Sequence, residues 1–385
     1  GLNDLTVGIV TDTSCMFYNC NKLKFDSIVP FLQKINSVMV TNMSRMFNNV
    51  VLTNANVQTI CEMYNNIPSI DILGSQSFLT DISIIEPILD KADWTTLTDI
   101  SNLFLGWSKI VNVSLLEKYD VSNITNMSSL FKGCFKLEDI NGIKDWVVSK
   151  VEDMSDMFNS CDCLADLTPL KKWDVSSVKT MKGMFSAANY SPIKTLSGLE
   201  DWDVRNVTNM QSMFHATQGF GYSDATAKDC SALANWDVRN VTTMNYMFGG
   251  FRIEDYSCLA DWNISSLTDF TYMFAHHWAV ETDSERVIDL SSWDVSKVDF
   301  GRVGPFFNCK YLVEVESFKN ISDTATYIGT DNNQCEMLSI DSIMSFINNL
   351  VEVATTHILH IGEVNVQKLT EDQILIAINK GWTLL

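Results

Sequence analysis

The chain has 385 residues, of which 46 % are hydrophobic and 19 % charged, so it carries enough apolar surface for an extensive core. Its formal net charge of −20 argues against binding a nucleic-acid backbone, which needs Lys and Arg to displace counterions, and against docking on an anionic membrane. No apolar run reaches the roughly 18 residues of a membrane-spanning helix, so membrane insertion is not expected.

From the start of the chain, short apolar phrases recur. Thr13-Ser14-Cys15-Met16-Phe17-Tyr18-Asn19-Cys20 aligns with Met127-Ser128-Ser129-Leu130-Phe131-Lys132-Gly133-Cys134. Met43-Met46-Phe47 is a further copy, and Ile60-Met63-Tyr64 and Ile100-Leu103-Phe104 are degenerate ones. Residues 1–119 are therefore expected to be degenerate copies of one repeat. The chain opens inside a copy, so an earlier segment or a partner is expected to cover that end.

The repeat becomes regular over 120–321. Trp146, Trp173, Trp202, Trp236, Trp262 and Trp293 fall 27, 29, 34, 26 and 31 residues apart. A period near 29 suits stacked coils rather than a heptad. Within each copy, Met127-Leu130-Phe131, Met154-Met157-Phe158, Met181-Met184-Phe185, Met210-Met213-Phe214 and Met244-Met247-Phe248 place apolar groups at i, i+3 and i+4. That spacing predicts a short helix. Gly133 and Asn159-Ser160 would end it. Leu137, Ile140 and Ile143 then lead to Trp146 in what reads as an extended stretch. The Asp after Trp (Asp174, Asp203, Asp237, Asp294) is expected to bond backbone amides of the next turn, with Asn263 in the same role. Phe270-Met273-Phe274 and Val303-Phe306-Phe307 continue the frame.

Residues 322–385 read as a closing cap. A helix is expected around Ile343–Leu350 and a strand at Ile358–Ile361. A helix opened by Thr370-Glu371-Asp372-Gln373 should stop at Lys380-Gly381, and Trp382–Leu385 should form a last strand.

The phrase Trp-Asp-Val-x-x-Val-x-x-Met-x-x-Met-Phe, best seen over Asp120–Leu137 and Asp174–Phe185, resembles the BspA-like leucine-rich repeats, in particular the bacterial surface protein 26-residue repeat. The ending, from Asp341 through Leu350 to Asn379-Lys380-Gly381-Trp382, looks like the close of similar proteins from gut bacteria and their phages. The resemblance implies an extracellular or virion-borne binding scaffold without catalysis. Most copies here exceed 26 residues, which places the loops outside the family pattern. The expected fold is α/β, a leucine-rich-repeat-like right-handed solenoid of about 12 or 13 coils, with a narrow parallel sheet on one face and short helices on the other; at ~5 Å per coil it would be near 60 Å long.

Cys20, Cys134, Cys161 and Cys309 share one slot, Phe-x-x-Cys. They read either as a row of small core side chains or, for Cys134 and Cys161, as a pair close enough for a disulfide. Cys161 and Cys163 have no second pair at zinc spacing, and no cofactor or metal is expected. His357 and His360 would sit on opposite faces of a strand. No phosphate loop, nucleophile elbow or His-Glu-x-x-His motif occurs, so an enzyme is not expected. The sequons at Asn123, Asn206, Asn240, Asn263 and Asn320 read as by-products of the repeat.

Three copies lengthen between the Met-Phe segment and the next Trp, and these insertions should leave one edge of the stack. They contain Tyr190, then Phe220 and Tyr222, then His276, His277 and Trp278. Aromatic groups are enriched at binding hot spots, so these six form the candidate ligand-binding edge. The expected function is adhesion to a protein receptor or surface glycan, outside the cell or on its surface. The alternative is a structural subunit of a phage tail or virion that contacts neighbouring subunits.

Overall fold

The computed structural model describes residues 4, 8–35, 39–64, 67, 69–188, 191–216, 227–251, 253–275, 287–299, 303–307, 309, 312–322, 327 and 335–385. It contains two compact units, Gly1–Leu164 and Ala165–Leu385, so the boundary falls inside the regular repeat.

In both units, copies adjacent in sequence are adjacent in space and run parallel. In the first unit Asp99 bridges Asn126, and Asn126 bridges Asp153. In the second, Thr180, Asn209, Thr243 and Asp269 form a continuous row of parallel bridges. Longer pairing occurs in three two-stranded parallel sheets of the second unit: β1 (Ala227–Asp229) with β2 (Ile253–Asp255), β3 (Val287–Asp289) with β4 (Glu314–Glu316), and β5 (His357–Leu359) with β6 (Trp382–Leu384).

The Met-Phe segment departs from the expected helix. Between Met127 and Cys134 the amides alternate in direction. Those of Ser129, Phe131 and Gly133 donate to Ser155, Met157 and Asn159 in the next copy. Those of Leu130, Lys132 and Cys134 donate three residues back, to Met127, Ser129 and Phe131. Such alternation needs left-handed residues, and Ser129 (φ 56°) and Gly133 (φ 77°) supply them. A lone two-turn helix is marginal, because nucleation costs more than a few internal bonds return. Here half the bonds are made to a neighbouring copy instead.

The stretch before Trp is extended only in part: β1, β2 and β3 precede Trp236, Trp262 and Trp293, but a tight turn enters most copies. Asn141–Ile143, Thr168–Leu170, Ser231–Leu233 and Ser257–Leu259 are single 3-10 turns. Leu137, Ile140 and Ile143, three residues apart, are all buried, with Ile143 on the 3-10 turn itself.

Columns of equivalent side chains fill the interior. Trp146, Trp173, Trp202, Trp236, Trp262 and Trp293 are all buried, as are the Met residues of the repeat phrase. Most of the indoles donate to a carbonyl of the preceding copy, whereas Trp94 bonds Leu89 only five residues back. In the first unit Trp107 bonds Gly74 (2.8 Å) and Trp146 bonds Leu116 (3.1 Å). In the second, Trp202 bonds Leu170 (3.2 Å), Trp236 Leu199 (3.0 Å), Trp262 Leu233 (3.1 Å) and Trp293 Leu259 (2.9 Å). Phenylalanines stack beside them: Phe104, Phe131 and Phe158 in the first unit, and Phe185, Phe214, Phe248, Phe274 and Phe306 in the second.

The Asp after Trp forms an Asx turn. Asp174, Asp203, Asp237 and Asp294 accept from the amide two residues on, as Asn263 does. The sequon residues Asn123, Asn206 and Asn240 donate their amides to backbone carbonyls of the preceding copy, so a glycan there would remove a ladder bond.

The C-terminal elements include the helices Ile340–Asn348 and Glu371–Asn379, with β5 and β6. Thr370 and Gln373 close a capping box at the second helix. Lys380 donates to the carbonyls of Ile347, Asn348 and Leu350, which satisfies the open end of the first.

Candidate functional site

The six candidate edge residues, Tyr190, Phe220, Tyr222, His276, His277 and Trp278, all lie outside the described residues. The described residues nearest to two of those insertions carry an aromatic strip instead. His215 lies two residues before the first insertion residue outside the described set, and Tyr272 lies four before the second.

The strip belongs to the second unit and consists of His215, Tyr246, Tyr272 and Phe307, all half-buried. Tyr246 and Tyr272 occupy the same slot in successive copies, between the two apolar residues of the Met-Phe segment. Their rings stack at 4.3 Å with 9° between planes. His215 meets Tyr246 edge-on at 5.1 Å, and Phe307 meets Tyr272 edge-on at 5.1 Å. Beneath the rings sits Gly249. A Cβ there would lie 2.9 Å from a ring carbon of Tyr246 and 3.1 Å from one of His215, so a side chain and the strip cannot coexist undisturbed.

The slot is conformationally expensive for tyrosine. Tyr246 and Tyr272 have φ of 55° and 58°, a region that costs an L-residue about 1–2 kcal/mol. Neighbouring copies place Gly183 and Ser212 there, which suit the conformation better or project less. Both tyrosines are thus held in a backbone conformation that disfavours a bulky side chain.

A polar run flanks the rings. Gln211 donates to Asn245 (3.4 Å), Asn245 to Thr271 (2.5 Å), and Thr271 to Asp269 (2.7 Å). Burial first, then the neighbouring Tyr272, pushes the Tyr246 phenol up to about 12, so it is a neutral hydroxyl at physiological pH. The strip therefore combines stacked rings, a neutral hydroxyl and side-chain amides with the carboxylate of Asp269.

The cysteines follow two patterns. Cys134 and Cys161 are free, buried thiols rather than a disulfide. Each donates at 3.2 Å to a phenylalanine carbonyl one copy earlier, Phe104 and Phe131 respectively. Burial raises both thiols well above the ordinary value. Cys309 and Cys335 repeat the arrangement with Phe274 and Phe306. Cys20 shares the slot but is exposed. Cys230 and Cys258 form a disulfide with Cα atoms 5.6 Å apart. It was missed in the sequence because neither residue occupies the Phe-x-x-Cys slot; their separation of 28 residues, close to one period, was the available signal.

Among the described residues, no group of three His, Cys, Asp or Glu side chains is placed to hold a metal, and no helix is long and apolar enough to cross a membrane. Tyr246 and Tyr272 were also missed, although an aromatic in that slot in two successive copies could be read directly from Asn245-Tyr246-Met247-Phe248 and Thr271-Tyr272-Met273-Phe274.

No characterised protein and no solved structure matches the chain significantly. A family model, described as "Mycoplasma protein of unknown function, DUF285", matches residues 1–66, 75–195 and 220–312, which is more than half of the chain. That family is related to the BspA-like repeat proteins. The chain belongs to the DUF285 family.

Proposed function

We propose that this protein is a non-catalytic binding scaffold of the BspA-like leucine-rich-repeat type, a right-handed solenoid that displays recognition surfaces outside the cell or on a virion. Its role is adhesion to a cell-surface receptor or glycan. The observation that carries this reading is the Tyr246–Tyr272 stack, kept at strained backbone positions where neighbouring copies use Gly183 and Ser212. The Cys230–Cys258 disulfide supports an oxidising location, since such bonds seldom persist in a reducing cytosol. The test is to probe intact and permeabilised source cells, or purified particles, with an antibody against the chain. Labelling of intact surfaces is the expected result, and labelling only after permeabilisation would contradict the proposal.

A second reading, a structural subunit of a larger assembly, draws on one observation. Leu375, Ile376 and Ile378 on the helix Glu371–Asn379 are exposed, as is Leu385. Exposed apolar side chains grouped on one helix suit a contact surface. Scattering in solution separates the two: a monomer across concentrations favours adhesion, and ordered oligomers favour assembly.

A further inference from the structure

We propose that the strip His215–Tyr246–Tyr272–Phe307 takes a basic polypeptide segment rather than a sugar. This deepens the binding reading above and rests on it.

The geometry of the rings separates the two ligand classes. A sugar binds aromatic groups by laying its C–H face on an open ring face. The two tyrosines offer little of that kind, since each covers one face of the other. The His215 ring crowds Tyr246 at 5.1 Å and 77°, and the Phe307 ring crowds Tyr272 at 5.1 Å and 65°. The rings are half-buried, and the Tyr246 phenol is a neutral hydroxyl.

A polypeptide suits that surface. Its carbonyls accept from phenol hydroxyls, and its aliphatic side chains pack on ring edges. Tyrosine, serine and asparagine, held rigidly, make a good protein-binding composition because little side-chain entropy is lost on contact. The strip is rigid in this sense. Gly249 leaves no slack beneath the rings, and the run Gln211–Asn245–Thr271–Asp269 fixes the flanking polar groups.

Charge selects the sign of the partner. The polar run ends on the carboxylate of Asp269, and the chain as a whole carries −20. Lys- or Arg-bearing segments are drawn to such a surface and acidic ones are repelled.

The test uses a displayed library of random twelve-residue peptides, with the purified chain as bait and a glycan array in parallel. The variant is Tyr246→Ser with Tyr272→Ser. Serine already occupies the equivalent slot at Ser212 with a similar φ, so the fold is expected to persist, and thermal unfolding checks that it does. Enriched peptides should carry net positive charge, bind the unaltered chain more weakly as salt rises, and lose about tenfold or more in affinity for the variant, the loss typical of a hot spot. Four results would overturn the proposal: no enrichment, enrichment without basic residues, peptides that bind both proteins equally, or a glycan signal that the variant abolishes. Surface labelling of intact cells reports on the location and adhesion reading separately, so failure of one is distinguishable from failure of the other.

Discussion

The indole of Trp236 donates its N–H to the carbonyl of Leu199, 37 residues earlier, at 3.0 Å. The bond joins two copies of the repeat through the dry interior, where neither group meets water. An indole is the side chain that both fills this space and supplies a donor on its far edge, which explains why the copy cannot exchange Trp for another large apolar residue without loss.

Replacing Trp236 by Ala should therefore lower stability by about 3–5 kcal/mol, the usual range for a large buried aromatic. Trp236→Phe should cost less, about 1 kcal/mol, because the Leu199 carbonyl loses the indole donor but still accepts from the Trp202 amide. Denaturant unfolding of both variants checks the order. Equal, small losses would mean that the indole is not in the core.

Reduction of Cys230–Cys258 releases a loop spanning 28 residues. Loop-closure entropy gives about 3–4 kcal/mol for a span of this size. The unaltered chain should melt lower in reductant, and Cys230→Ser with Cys258→Ser should melt at that lower temperature with or without it.

Stability should fall in alkali. Cys134 and Cys161 have thiols raised above the ordinary 9.0 by burial. Burial likewise raises the phenols of Tyr64 and Tyr246 from 10.0 to about 12. For each group the unfolded chain ionises first, so stability is full below the unfolded value and is lost as pH rises toward the folded one. The decline should start near pH 9 and steepen above pH 10. In native protein below that range, a thiol reagent should modify exposed Cys15 and Cys20 well before buried Cys134 and Cys161.

Gly250 and Gly249 should respond differently to alanine. Gly250 has φ of 69°, and a Cβ there would lie 2.1 Å from the carbonyl oxygen of Ala216, so Gly250→Ala should destabilise the second unit by more than about 1 kcal/mol. Gly249→Ala should instead disturb the tyrosine stack, seen as a change in near-ultraviolet circular dichroism with a smaller shift in melting.

The period was legible because burial repeats at fixed slots. Trp, Met and Phe returning every 26 to 34 residues are satisfied by an interior shared between adjacent copies of a unit, and the Asx turns follow from the Asp or Asn placed after most of the Trp residues. Local backbone was less legible. Apolar groups at i, i+3 and i+4 describe a helix and also a run of turns, and only the left-handed slot separates them. That slot holds Ser129, Asp156, Ser212, Tyr246 and Tyr272 more often than glycine, so the signal was hidden. The 3-10 turns carried a spacing of three that was read as extended chain. The tyrosine strip lies inside the repeat phrase, where two aromatic residues at a turn position change neither its length nor its period and so carry little signal.

Copies within each unit stack in parallel, one period apart, with equivalent rings in contact. Nuclear Overhauser effects between the rings of Phe214 and Phe248, whose centroids lie 5.7 Å apart, test this most directly. Strong cross-peaks for this pair, and for Trp202 with Trp236 at 6.3 Å, are the expected result. Absence of both, in protein that remains folded, would contradict the stacking on which every other inference depends.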